Sequence, residues 1–351
     1  LRRKKDFQRK STTVAKPKGA HSTIAIFIRS WSRIRLTESS SNNTYNGTSD
    51  SQLEHIETSV TRAARKAGEF VSSRFGGILK ISNKGDKPGK DIVTDVDKAS
   101  QRMIAEVMAE SCPDHMLLGE EDPPDEDPAA ADWLWVVDPI DGTTNFVNSS
   151  PIHAVSVAAL YRGEPVAAAI WIPWPNTDGY LLMHARKGHG SWIGDTKMHV
   201  HNSSASGEPV NGVLAARPGW LRRTFDIQKP FQEHAGEIRV GGSACYEQFL
   251  VANGTMQYAI TGFAKTWDFA AAILLVKESG GKVMALDSTR KFTEFHGWRD
   301  NYSNDSVTYG RIRKWGGLLL TGAPATVDFV SENLRPKRKG LAGKLTSLVS
   351  S

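Results

Sequence analysis

Three short segments gather carboxylates at spacings that could do chemistry: Gly119-Glu120-Glu121-Asp122, Trp135-Val136-Val137-Asp138-Pro139-Ile140-Asp141-Gly142-Thr143-Thr144-Asn145-Phe146, and Trp267-Asp268-Phe269-Ala270-Ala271. In the second, a short apolar run delivers Asp138 to its end, where Pro139 fixes the backbone and Gly142 allows a tight turn. Asp138 and Asp141 can then face one point. Two carboxylates three residues apart in such a turn repel unless a cation lies between them, and oxygen donors without His or Cys select a hard ion such as Mg2+. The carbonyl of Ile140 could add another oxygen ligand. Thr143 and Thr144 stand at a helix start, where free backbone N–H groups favour an anion.

Each piece alone has a plainer reading. Asp-Pro and Asp-Gly are ordinary turn dipeptides. Asp268, ahead of an Ala-rich apolar stretch that ends at Gly280–Gly281, reads as a helix N-cap. Glu120 and Glu121 open a run of six acids within eight residues, the pattern of a solvated loop. Asp97 has capping-box spacing from Thr94.

The elements that would carry these groups follow from periodicity. Leu53, Ile56, Val60, Ala63, Ala64, Ala67, Phe70 and Val71 recur every three or four residues, the stripe of a long amphipathic helix stopped by Gly76–Gly77. A Lys- and Gly-rich loop over 84–90 leads to a second helix starting after Thr94. Trp133–Val137, Ala154–Tyr161, Pro165–Trp171 and Gly179–Met183 read as strands. Helix Ser243–Ala252, strand Met256–Ile260 and helix Asp268–Ser279 then alternate, a mixed α/β pattern. His153, in an apolar run, reads as a hydrogen-bonded core histidine, and Trp171 and Trp174 as hairpin packing.

Charge excludes one class of partner. Residues 1–36 hold 11 basic and 1 acidic side chain, the last 17 hold 5 basic and none acidic, and 37–334 hold 28 basic against 37 acidic. The overall +6 therefore reports two basic ends on an acidic body, so a basic nucleic-acid-binding domain is not indicated. No apolar run approaches the roughly 18 residues of a membrane span. Cys112 and Cys245 lack CxxC or histidine partners, which argues against a disulfide framework or a structural zinc site. The expectation is a soluble intracellular protein, cytoplasmic or, if the basic leader is a transit segment, organellar. Residues 1–51 are read as leader and polar linker, 52–334 as one catalytic domain, and 335–351 as a basic tail.

Taken together and in order, GEED, WVVDPIDGTTNF and WDFAAAILLVKESGG resemble the upstream glutamate and the two signature motifs of the inositol monophosphatase family. The likeness runs from about Gln52 to Asn333 and takes in the Asp91-x-x-Thr94-x-x-Asp97 segment and the turn Arg239-Val240-Gly241-Gly242-Ser243-Ala244. By that resemblance the fold is α/β (α+β), a layered α-β-α-β-α sandwich of the inositol monophosphatase/fructose-1,6-bisphosphatase type. The implied activity is hydrolysis of a phosphate monoester, dependent on two or three Mg2+ per active site, sensitive to lithium and carried out by a homodimer. Glu120, Asp138 and the Ile140 carbonyl would bind one metal, and Asp138, Asp141 and Asp268 a second, with Glu121 serving an outer one. Glu120 and Thr143 would orient the attacking water, supported by Asp97, and the N–H groups of Gly142 and Thr143 would hold the phosphate. Gly242, Ser243, Ala244 and Thr261 would line the substrate side.

Inositol 1-phosphate is the expected substrate, because the spacing from Glu120 to Asp138 and the TTNF after DPIDG match the inositol branch. Thr261 stands where members acting on inositol phosphates commonly carry glutamate, and Lys265 could meet a second acidic group. Histidinol phosphate, a hexose 1-phosphate and 3′-phosphoadenosine 5′-phosphate therefore stay open as substrates, as does a non-catalytic binding role.

Overall fold

In a computed structural model of the chain, the described residues are 44–45, 48–83, 92–123, 131–202, 204–298 and 309–337. The basic residues 1–36, most of the polar linker, the 84–90 loop, the acids at 125–127 and most of the basic C-terminal end lie outside them.

Helix α1 spans Asp50–Arg74. It begins two residues before the expected Gln52 because Ser49 caps it, its hydroxyl accepting the Gln52 N–H at 3.2 Å. Leu53, Ile56, Val60, Ala63, Ala64, Ala67 and Val71 are buried, as their spacing demands. Helix α2, Asp95–Ser111, opens on the Thr94/Asp97 capping box.

A seven-stranded sheet follows, with β1 Met116–Gly119, β2 Trp133–Asp141, β3 Ala154–Tyr161, β4 Glu164–Pro173, β5 Tyr180–Arg186, β6 Ser191–Ile193 and β7 Thr196–Lys197. Neighbours in sequence are neighbours in the sheet, all antiparallel except β1 and β2. A parallel pair needs a crossover of about a dozen residues, and 120–132 supplies it. The central strands β2, β3 and β4 are buried on both faces. In β2, Trp135 and Val137 meet Ile56, Val60 and Ala63 of α1, whereas Leu134 and Val136 face the opposite core.

The second sheet contains β8 Leu214–Ala216, β9 Glu237–Ile238, β10 Met256–Lys265, β11 Lys282–Leu286, β12 Phe292–Glu294 and β13 Gly316–Gly322, in the order β9-β8-β10-β13-β11-β12. Besides the short α3, Thr143–Val147, three helices complete the frame: α4 Ala244–Ala252, α5 Thr266–Glu278 and α6 Pro324–Glu332. Phe249 of α4 and Ile273 and Leu275 of α5 share one core with Val136 and Ile170 of the first sheet and Ala259 and Leu319 of the second. These two helices are apolar nearly all round because they are the middle layer. On the far face of the second sheet, Tyr258, Ile260 and Leu320 meet Phe225, Phe231, Val327 and Val330. The layers are α-β-α-β-α, as expected.

Two boundaries move. Strand β10 runs to Lys265 and not Ile260, because Thr261 and Lys265 pair with Leu319 and Gly316 across a bulge that Gly262 disguises in the sequence. Leu334–Pro336 pairs with Phe225–Ile227, and the Lys337 N–H reaches the Thr224 carbonyl at 3.0 Å, so Arg335 and Pro336 belong to the fold and not to a tail.

Trp171 is buried in β4 against Gly68 of α1, where an added Cβ would sit 2.3 Å from the indole. Gly68→Ala is expected to lower stability by about 1–3 kcal/mol through overpacking. A denaturant midpoint equal to that of the unmodified chain would remove this contact from the account of how α1 docks.

Candidate active site

Parallel pairing of β1 with β2 places the carboxyl ends of both strands side by side. Gly119 lies opposite Val137, and the Glu120 N–H donates to the Val137 carbonyl at 3.2 Å, so Glu120 leaves its strand beside Asp138. The ladder with β3 then slips between Asp138 and Asp141. Pro139 has no N–H to give a ladder, and such a slip re-aims the side chains that follow. One oxygen each from Asp138, Asp141 and Asp268 lie within 4.8 Å of one another.

Asp268 arrives from the middle layer. It is not the N-cap expected from the sequence: Lys265 holds that position, and Asp268, the third residue of α5, accepts the Lys265 N–H at 2.6 Å. Its carboxylate thus ties off the helix and reaches the cluster at once. Asp141 is held by the GGSA turn, its Oδ2 accepting the Ser243 hydroxyl at 2.5 Å and the Cys245 N–H at 2.6 Å. Ser243 is 1% exposed, and its hydroxyl also accepts the Tyr246 N–H as the cap of α4. Ser243, expected on the substrate side, also holds Asp141 in place. Gly242 is exposed, Ala244 half-buried, and the Thr261 hydroxyl accepts a hydrogen bond from Gln248 Nε2 at 3.1 Å.

Asp97 does two jobs. Its Oδ2 accepts the N–H and hydroxyl of Thr94 at 2.8 and 2.5 Å, the capping box, while its Oδ1 lies 3.1 Å from the Thr143 hydroxyl. That hydroxyl is also 3.0 Å from the Ile140 carbonyl, which brings a backbone oxygen to the same point. Gly142 caps α3 at φ +86°, where a Cβ would crowd the Ile152 carbonyl and Ser243 at 3.0 Å. Asn145 Nδ2 lies 2.7 Å from both the Ile152 and Gly241 carbonyls, locking the two motif turns together.

Several supports were not foreseen. Ser100 donates to the Pro139 carbonyl at 3.1 Å. Gln101 Nε2 donates to Asp122 Oδ1 at 2.6 Å while its Oε1 accepts the Glu121 N–H at 3.0 Å. Asp122 Oδ2 takes the Gly119 N–H at 2.6 Å, and Arg313 Nη2 donates to the Asp122 carbonyl at 2.6 Å. A Cβ at Gly119 would lie 2.2 Å from the Gln101 amide, so a side chain there would displace Gln101 from these bonds. A signal existed: Asp97, Ser100 and Gln101 are polar residues on the stripe of α2 that continues as Ile104 and Val107. Arg313 carried none. His153 is a core histidine as expected, buried against Phe75 and Phe146, and burial pulls its pKa down to about 4.

Burial and mutual repulsion push the cluster toward protonation. Asp138 lies well above the usual carboxylate range through burial first, then Glu120, Asp141 and Asp268. Burial raises Asp141 to about 6 against the Ser243 and Cys245 hydrogen bonds, and raises Asp268 to about 8 with Asp141 and Glu120 adding to it. Asp97 is raised by burial, opposed by Thr94. Such an all-oxygen group fits hard cations, whose charge would relieve the repulsion.

The model of the inositol monophosphatase family matches residues 52–317, a span that holds every residue of this site. This chain belongs to the inositol monophosphatase family. Its relatives within that phosphatase family include the chloroplastic phosphatase IMPL1 of Arabidopsis thaliana, 34% identical over 81% of this chain and 72% of that protein. A fructose-1,6-bisphosphatase/inositol-1-monophosphatase of Aquifex aeolicus is 31% identical over 62% of this chain and 81% of its own. The Nus factor SuhB of Pseudomonas aeruginosa is 32% identical over 75% and 94%. The fold matches that of a Thermotoga maritima IMPase, TM-score 0.60 at 24% identity, covering 80% of this chain and 96% of that one. It also matches an IMPase/NADP phosphatase complexed with Mg2+ and phosphate, TM-score 0.61 at 20% identity, over 82% and 98%.

Two outcomes are expected. Asp268 has its ordinary pKa of 3.8 unfolded and about 8 folded, so between those values the folded state holds the extra proton. Metal-free stability is then fullest at the acid end and declines as pH rises through that window. The melting temperature of chelator-treated protein should fall toward about pH 8, Asp268→Asn should flatten the decline, and added Mg2+ should restore most at the alkaline end. Arg313→Met, which frees the Glu120 turn, should weaken divalent-cation affinity about 10-fold in a Mn2+ titration. Unchanged affinity would make Arg313 irrelevant to the cluster.

Proposed function

We propose that this chain hydrolyses inositol 1-phosphate to inositol and inorganic phosphate, with two or three Mg2+ ions bound per active site. The observation that carries this reading is the oxygen-only cluster of buried Asp138 and Asp141 with half-buried Asp268, and Glu120 beside it. In this reading Glu120, Asp138 and the Ile140 carbonyl hold one ion, Asp138, Asp141 and Asp268 a second, and Glu121 an outer one or its waters. Bound cations neutralise phosphoryl oxygens and make a coordinated water easier to deprotonate.

The remaining work falls to the chain. Thr143, whose hydroxyl donates to Asp97 Oδ1, keeps its oxygen lone pairs available to orient the attacking water together with Glu120. The N–H groups of Gly142 and Thr143, at the start of α3, hold the phosphate. A covalent intermediate is not required: Ser243 is engaged with Asp141, and the Cys245 thiol lies 3.2 Å from the Asp268 carbonyl with its pKa pushed far up by burial.

One observation favours a wider substrate range. Thr261 is neutral and held by Gln248, and Lys265 stands exposed at the start of α5, so a carboxylate to grip a ring hydroxyl is missing at 261 and a cation is at hand. Hexose 1-phosphates, histidinol phosphate and 3′-phosphoadenosine 5′-phosphate belong in the same assay. Lithium sensitivity, a homodimer and an organellar address in residues 1–36, ahead of a catalytic domain and a basic tail, complete the reading. Among the described residues no helix is long and apolar enough to cross a membrane, and the Arabidopsis relative is chloroplastic by name.

A phosphate-release screen over these substrates, with and without Mg2+ and lithium, tests the proposal. Inositol 1-phosphate should lead, with turnover lost on chelation and reduced at least about 1,000-fold by Asp138→Asn. Thr143→Val should cost about 100-fold in kcat with KM little changed. Turnover that survives Asp138→Asn would sink the mechanism; a different leading substrate would replace only the substrate.

A further inference from the structure

Helix α5 carries a second chemical group at its other end. Lys277, nine residues after Asp268, lies about 14 Å further along the axis, outside the carboxylate cluster. Its Nζ is 2.7 Å from Nδ1 of His296, and Nε2 of the same ring is 3.6 Å from Glu294 Oε1. Amine, imidazole and carboxylate thus stand in line, the order in which a base orients and deprotonates a nucleophile.

The segment that presents His296 is firmly held. Glu294 ends β12, the Phe295 N–H donates to the Val283 carbonyl at 2.9 Å, and the Trp298 N–H donates to the Gly163 carbonyl at 2.8 Å. Gly297, at φ +136°, lets the chain pass where a Cβ would lie 2.7 Å from that same Gly163 carbonyl.

The surroundings favour a neutral amine. Lys277 is half-buried, and burial is the main force lowering its pKa to about 8; Lys187 adds to it, and Glu294 and Glu164 oppose it. Glu164 is itself engaged by Lys187. Among the described residues, the acceptor that Lys277 meets at hydrogen-bond distance is an imidazole nitrogen and not a carboxylate. At about pH 7.5 roughly a quarter of such an amine is neutral, against roughly one part in a thousand for an ordinary lysine.

We propose that Lys277 is a site of covalent acylation by activated acyl donors, thioesters or acyl phosphates, with His296 as the proton acceptor. The Nζ lone pair attacks the acyl carbonyl carbon and forms an amide bond. The bond from that carbon to sulfur or phosphate oxygen breaks, and the thiolate or phosphate leaves with the electron pair. The proton released by nitrogen passes to His296 Nδ1, and Glu294 stabilises the imidazolium. The product is a neutral amide in a half-buried place that disfavours charge, so the modification is retained.

Peptide mass spectrometry of the full chain exposed to acetyl phosphate or acetyl-coenzyme A tests this. Acetylation of Lys277 should outpace that of Lys229, whose side chain is 82% exposed, by about ten-fold, and its rate should rise through about pH 8. His296→Gln should slow it about ten-fold at unchanged melting temperature, and Glu294→Gln by less. Labelling of Lys277 no faster than Lys229, or undiminished by His296→Gln, overturns the proposal. Neither result bears on phosphate release, which depends on the opposite end of the helix.

Discussion

Like-charged carboxylates buried together are the constraint on which this structure turns. Glu120, Asp141 and Asp268 raise the proton affinity of Asp138, Glu120 raises that of Asp141 and Asp268 as well, and taking an ionised carboxylate out of water costs several kcal/mol even after relaxation. A chain can keep such a group only if each member is tethered by a different part of the fold, so that none can swing away. That is the arrangement observed: the β1–β2 pair holds Glu120 and Asp138, the GGSA turn holds Asp141, and the first turn of α5 holds Asp268. The tethers are mostly backbone N–H groups, which favour the charged form without bringing in a competing cation.

The layered fold follows from the same need. A parallel pair within an otherwise antiparallel sheet is the device that brings two carboxyl ends of strands to one point. The middle helices must be apolar all round to sit between two sheets, and that leaves their first turns as the places where polar groups can face the cluster. Helix α2 solves the opposite problem. Its buried stripe is polar at Asp97, Ser100 and Gln101, where it backs the site, and apolar from Ile104 on, where it backs the sheet.

Much of this was legible in the residues. The stripe of α1, the Thr94/Asp97 box, strand Ala154–Tyr161 and the order of the carboxylate motifs all survive contact with the structure, because local periodicity and capping chemistry determine them. What escaped is non-local. Arg313 reaches Asp122 from 191 residues away, and nothing near either residue announces it. Ser243 is set on the substrate side by the family resemblance alone, and its hydrogen bond to Asp141, 102 residues away in sequence, shows only in the fold. Strand β10 runs past Ile260, the end expected from the sequence, because a bulge beside β13 accommodates Gly262. Asp268 was read as cap or ligand, whereas a residue in the third helical position can end a helix and still present a carboxylate elsewhere.

Asp97 joins two parts of the fold through its two carboxylate oxygens. One oxygen starts the helix on which the first sheet leans; the other steadies Thr143. In the proposed reaction foldability and catalysis would thus share a single pair of oxygens, and inheritance could not trade one against the other at this position. A chain that loses the carboxylate is handicapped in both respects, and the cellular triage that destroys poorly folded protein will also clear away the copies least able to act. The defect is removed with its bearer, so a lineage would see such a change as scarcity of the protein more than as a pool of inert molecules.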